Sequence, residues 1–163
     1  MRFAFKVKVI QICKRQSIVP DYLMACMAFE TGKTFSPSIP NAAGSKAVGL
    51  IQFMPPTAIG LHTTTGALAT MTAVQQLDYV ERYMANAISL KGQLRSLEDV
   101  YMSILWPAAI GQPDTYTLFR RGTINYTQNA GLDADNDGVV TKFEAASAVR
   151  KLLLEGRRPH LHG

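Results

Sequence analysis

The densest chemistry in the chain is Asp133-Ala134-Asp135-Asn136-Asp137-Gly138-Val139-Val140-Thr141-Lys142-Phe143-Glu144. Asp133, Asp135 and Asp137 alternate, so a curled loop turns their oxygens toward one centre. Gly138 allows the sharp bend, Val139 offers a carbonyl, Thr141 a hydroxyl, and Glu144 can close the ring with both oxygens. The set holds oxygen donors with no thiol or imidazole, which suits a hard divalent cation such as calcium (Ca2+). Without a cation the four carboxylates would repel one another, so the ion's expected role is structural: it orders the loop.

A second candidate is a single acid. Glu30 follows eight apolar or small residues, Tyr22 to Phe29, and precedes a loop rich in Gly, Pro and Ser. A carboxyl at the mouth of a buried helix is desolvated, its pKa rises, and it can act as a general acid near neutral pH. The plainer alternative is a Glu exposed at a helix end. Between Glu30 and Asp78 there is no other Asp or Glu.

These residues need elements to hold them. Pro20-Asp21 opens a helix that is apolar all round and is closed by Glu30, with Gly32 just beyond it. Residues 31–53 read as a loop with a short hairpin or extended piece, ending in Gly49-Leu50-Ile51-Gln52-Phe53. Pro55-Pro56-Thr57 starts a short helix. Thr72-Ala73-Val74-Gln75 is a capping box that leads an amphipathic helix to about Leu90. Ser96 starts another that lasts until Pro107, and a final helix is expected from Thr141 to Glu155. The basic stretch from Arg150 to His162 reads as a frayed, solvated end. No repeat or linker divides residues 1–163, so one mostly helical domain is expected.

The 163 residues carry 17 Lys and Arg against 12 Asp and Glu, a net charge of +5, with 47% hydrophobic residues. That is a globular composition with a leaning toward polyanions. Basic and aromatic residues are not interleaved, so nucleic acid is not the expected partner. Lys6 and Lys8 break the apolar run at the amino terminus and no cleavage site follows, so no signal peptide is expected. The run from Val100 to Ile110 is too short to span a bilayer. Cys13 and Cys26 lie in apolar stretches and read as buried free thiols. His62, His160 and His162 lack zinc spacing, and Arg120-Arg121 and Arg157-Arg158 read as solvated charge.

Loop 133–144 resembles the twelve-residue EF-hand loop without a gap, although residues 126–132 make a poor entering helix and no second hand is present. Glu30-Thr31, Gly49-Leu50-Ile51-Gln52-Phe53, Pro56-Thr57-Ala58 and the helix around Gln76 to Tyr83 together resemble the lysozyme-like transglycosylase pattern, over about residues 20–110. Asp99 to Pro107 is similar to the version found in phage-encoded members. The resemblance implies a lysozyme-like domain with a hairpin or extended segment by a cleft, and an EF-hand-like loop near its C terminus. It implies a bacterial peptidoglycan strand as partner, Glu30 as the catalytic acid/base, and Gln52 and Tyr101 as substrate-binding residues. Val100 and Met102 stand where the family has Ala and Asn around that Tyr. Apart from the resemblance, Phe53 beside Gln52 is a candidate to stack on a sugar ring, although aromatics near a helix are more often core.

With one acid, an intramolecular route is favoured over the two-carboxylate scheme of ordinary glycosidases. The implied product is a 1,6-anhydro sugar, as in a lytic transglycosylase, formed by a monomeric enzyme. A phage origin would make it an endolysin or a virion-associated enzyme, produced in the host cytoplasm and acting on the wall. Three alternatives stay open: a hydrolase of the same fold, a non-catalytic wall-binding virion module, and a calcium-responsive interaction protein.

Overall fold

The computed structural model describes residues 3–157 and is mostly helical, with one small sheet. The chain begins with a helix that the sequence reading does not anticipate, α1 (Phe3–Gln16). Its buried residues Phe5, Val9, Ile12 and Cys13 form a helical stripe, and Lys14 and Arg15 in its last turn suit the negative end of the helix dipole. α2 (Pro20–Glu30) opens with its proline in the first turn and packs against α1 and two later helices. Its last turn is tied off by Thr31, which is buried. The Thr31 hydroxyl donates to the Met27 carbonyl at 2.7 Å and accepts from the Phe35 amide at 2.9 Å. Gly32 follows at φ +58°, the left-handed residue that ends the helix.

The loop from 31 to 53 forms no strand. Two isolated antiparallel bridges, Pro40 with Val48 and Val48 with Phe53, stand where a short hairpin or extended piece is expected. A buried side chain organises the segment instead. Gln76, fully buried, accepts from the Leu50 amide at 2.8 Å and donates to the carbonyls of Pro37 (2.8 Å) and Leu68 (3.0 Å). A side chain with four hydrogen-bonding sites thereby satisfies three separated stretches of backbone.

Three helices follow: α3 (Pro55–Gly60), α4 (Thr65–Thr70) and the long α5 (Ala73–Lys91). α5 starts at the expected Thr72–Gln75 capping box, with both reciprocal bonds present, and buries Leu77, Val80 and Met84. α6 (Leu97–Leu105) is capped by the Ser96 hydroxyl and ends before Pro107.

The sheet lies in the C-terminal part, where none is expected from the sequence. β1 (Thr117–Arg120) pairs antiparallel with β2 (Val139–Thr141), Phe119 facing Val140. Between them α7 (Ile124–Asn129) and a 3-10 turn (Ala130–Leu132) lead into the acidic loop. The expected final helix is broken into α8 (Lys142–Ala145) and α9 (Ser147–Gly156). A capping box between Thr141 and Glu144 sets the direction of α8, Lys142 is drawn inward, and Ala146 absorbs the turn before α9 lies along α2.

Residues from Arg150 to Arg157 are therefore not a frayed end. Val149 and Leu153 are buried, and Arg150 pairs with Glu98 on α6. The rest of that stretch, with Arg158, His160 and His162, lies outside the described residues. No helix among the described residues is long and apolar enough to cross a membrane.

Cys13 and Cys26 are both free and buried. Burial pushes Cys13 up to about 12, with a smaller contribution from Glu81, and also raises Cys26 well above the usual thiol value, with Glu30 adding to it. Neither thiol is ionised at neutral pH, so both are poor nucleophiles. Ellman's reagent at pH 8 is therefore expected to titrate no thiol in the native protein and two after denaturation. A rapid native reaction would contradict this burial.

Candidate functional site

Glu30 sits at the C-terminal end of α2, where the helix dipole already disfavours a negative charge. Burial pushes its carboxyl up to about 7. No opposing cation pairs with it among the described residues, and no described side chain or amide donates to it. Two tyrosines feel its charge. Tyr101 on α6 and Tyr83 on α5 are both raised, chiefly by burial and then by Glu30. The Phe29 and Tyr101 rings pack in a T-shaped pair, centroids 5.7 Å apart, which joins the last turn of α2 to α6. The Tyr83 hydroxyl donates to the Ser103 carbonyl and holds α5 to the same helix.

The other residues singled out from the sequence have different surroundings. Gln52 takes up a positive φ of +55° and spends its amide inside its own loop. It donates to the carbonyls of Ile39 at 3.2 Å and Gly49 at 3.1 Å and accepts from Asn41 at 3.4 Å. Phe53 is only 1% exposed and belongs to the core, so its ring offers no face to a ligand. Tyr101 is buried as well, at 3%. Thus Tyr101 stands near Glu30, whereas Gln52 and Phe53 stabilise the 31–53 loop.

The acids that folding could have brought beside Glu30 are engaged elsewhere. Asp78 pairs with Lys8 at 3.0 Å, Glu81 with Arg15 at 2.8 Å and Asp99 with Lys142 at 2.5 Å. A groove of about 470 Å³ between α1, α2 and α9, lined by Val9, Ile10, Met24 and Leu153, does not include Glu30.

In the acidic loop, ligand atoms of Asp133, Asp135, Asp137 and Glu144 all lie within 4.8 Å of one another, a cluster that could hold a metal ion. The backbone winds around these carboxylates. Gly138, at φ +86°, donates its amide to Asp133 at 2.9 Å, Val139 donates to Asp137 at 2.9 Å, and Ala134 donates to Glu144 at 2.9 Å. The Tyr126 hydroxyl donates to Asp133 at 2.6 Å and holds that carboxyl below its usual range, while burial and neighbouring acids raise Asp135. The Thr141 hydroxyl lies 3.2 Å from a Glu144 oxygen, and Val139 heads β2 beside the cluster. Arg121 is exposed, as expected, yet engaged with the loop. It donates to the Asn136 side chain at 3.2 Å and lies over the Tyr126 ring.

No protein-family profile, curated protein or solved structure matches this chain. Three residues that bear on the site carry little signal in sequence: Gln76, Tyr83 and Lys142. Gln76 and Tyr83 sit within a helical period, where polar residues usually face water. Lys142 lies inside the loop at a position that supplies no ligand. The apolar pairs Val139-Val140 before it and Ala145-Ala146 after it, interrupted by Thr141 and Glu144, are the one hint of its burial.

Proposed function

We propose that the chain is a peptidoglycan-cleaving enzyme of the lysozyme-like kind, with Glu30 as its single acid/base and calcium bound in loop 133–144. The observation that carries the reading is the state of Glu30: a desolvated carboxyl at a helix end, without a counter-ion, poised near neutral pH. The order of the motifs around it and the pairing of Asp78, Glu81 and Asp99 with cations support a one-acid route.

In that route Glu30 gives its proton to the oxygen of the β-1,4 bond between N-acetylmuramic acid and N-acetylglucosamine. The C1–O bond breaks as the neighbouring acetamido group supports the charge at C1. Glu30 then removes the proton of the sugar's own 6-hydroxyl, whose oxygen closes onto C1. No water is consumed, Glu30 ends protonated as it began, and the product is a 1,6-anhydro sugar. Tyr101 and Tyr83 wall the acid and keep it dry. The direct test is release of soluble fragments from purified peptidoglycan by the wild type. No release under calcium-replete conditions across pH 5–8 would overturn the assignment.

Calcium fits the loop by its donor chemistry: four carboxylates, a hydroxyl and a carbonyl, all oxygen. Because the ion would bind only the folded loop, it stabilises the fold by mass action, about 2.7 kcal/mol at one hundred times its Kd. Chelation is expected to lower Tm by roughly 5–10 °C, at ~2–4 °C per kcal/mol for a chain of this size. Scanning calorimetry with and without calcium checks this, and an unchanged Tm would remove the ion's structural role.

A further inference from the structure

Lys142 is the least expected side chain in the core. It is 1% exposed, follows Thr141 directly, and sits two residues before Glu144. Its ammonium group donates to Asp99 at 2.5 Å and to the Gln112 carbonyl at 2.7 Å. Asp99, in the first turn of α6, also accepts from the Gly111 amide at 2.9 Å. A buried pair of this kind contributes little net stability compared with an apolar replacement, yet it fixes geometry, because neither charge tolerates losing the other. Around it Glu98 pairs with Arg150, and Arg150 lies 4.0 Å over the Phe143 ring. The exit of the acidic loop and the start of α6 are thus one knot. Two residues beyond Asp99 on the same helix is Tyr101, in contact with Phe29 and within electrostatic reach of Glu30.

We propose that the Lys142–Asp99 pair transmits metal occupancy of loop 133–144 to Glu30, by fixing the first turn of α6 and with it the Tyr101 wall. Lys142 and Asp99 are positioning residues and do not touch substrate. This rests on the reading of the loop as a calcium site and of Glu30 as the acid. With the loop ordered by an ion, α8 holds Lys142 inward and α6 stays against α2. With the ion removed, α8 loosens, α6 relaxes, and water reaches Glu30. The titratable groups facing Glu30 are Cys26 from its own helix, Tyr83 from α5 and Tyr101 from α6. All three are neutral across pH 4–8, so a shift in Glu30 reports hydration and not a new charge.

The experiment follows the carboxyl resonances of 13C-glutamate-labelled protein through pH, with calcium or chelator, and amide hydrogen exchange of α6. Calcium binding is measured in parallel by calorimetry. The proposal expects calcium to raise the Glu30 midpoint by about one pH unit and to slow exchange at Tyr101 and Met102 about tenfold. In Lys142→Met with Asp99→Leu, which removes both charges together, calcium still binds but both effects vanish. Calcium binding to wild type with neither effect overturns the coupling while leaving the calcium site intact. Effects that persist in the double variant overturn the route through this pair. No binding heat overturns the coupling and the calcium site together. The wild-type arms decide the matter even if the double variant does not fold.

Discussion

Glu30→Gln is expected to reduce glycan cleavage by about a hundredfold to ten-thousandfold, and at the same time to stabilise the protein at alkaline pH. On the proposed route the loss follows from removing the group that protonates the leaving oxygen; general acid catalysis typically supplies ~10²–10⁴-fold. The gain follows from linkage. The folded-state value of Glu30 is about 7, above its ordinary 4.5, so the folded chain holds this proton more tightly than the unfolded chain does. The contribution of Glu30 to stability is therefore complete below pH 4.5 and is lost as pH rises through 7. Gln carries no charge and escapes that loss.

Partial exposure of the group discounts the full shift, and about 1–3 kcal/mol is expected at pH 8. The variant should then melt several degrees higher than wild type at pH 8 and no higher at pH 4. Wild-type activity should fall about tenfold per pH unit above 7, as the acid loses its proton. An inactive variant that melts lower at pH 8 would mean that Glu30 is a structural residue.

The second large effect is on the loop between Glu30 and Phe53. Gly49 has φ +85°, and a Cβ there would stand 2.4 and 2.8 Å from the two amide atoms of Gln76 and 2.8 Å from the Pro37 carbonyl. Neither can retreat, because Gln76 is bound on three sides and Pro37 is bound to Gln76. Gly49→Ala combines left-handed strain of about 1 kcal/mol with a displaced, unsatisfied buried amide costing about 1–3 kcal/mol more. Overpacking adds to both. A fall in Tm of roughly 10 °C is expected. Gly44→Ala is the matched control: φ is +86°, yet nothing lies within 4 Å of its Cβ. It carries the strain alone and should cost only about 3 °C. Equal effects of the two substitutions would show that Gln76 yields and does not organise the loop.

Helices with chemical end signals are legible in this sequence. Pro20 at the start of α2, Thr72 with Gln75 at α5 and Ser96 at α6 each name a local hydrogen bond or a fixed dihedral, and each begins a helix. Glu30 and the acidic loop are legible for a related reason: their chemistry lies in adjacent or alternate residues. α1 is harder to read, because Lys6 and Lys8 interrupt its apolar run although Phe5, Val9 and Ile12 keep the helical period. The small sheet is harder still. β1 and β2 are short, and their pairing depends on the loop between them closing.

Long-range contacts leave no local mark at all. Lys142 and Asp99 are separated by 43 residues, and nothing in the spacing of either announces the other. Phe53 is the opposite lesson. An aromatic beside a polar motif invites a stacking role, but Phe53 is buried together with Leu50 and Ile51 and is a core residue.

The central claim is that one carboxyl, Glu30, cleaves a glycan strand without water. Mass spectrometry of soluble fragments from purified peptidoglycan, digested by wild type and by Glu30→Gln with calcium present, tests it most directly. The account predicts fragments lighter by one water and lacking a reducing end from the wild type, and none from the variant. Reducing-end fragments of full hydrated mass from the wild type, or anhydro fragments from Glu30→Gln, would contradict it.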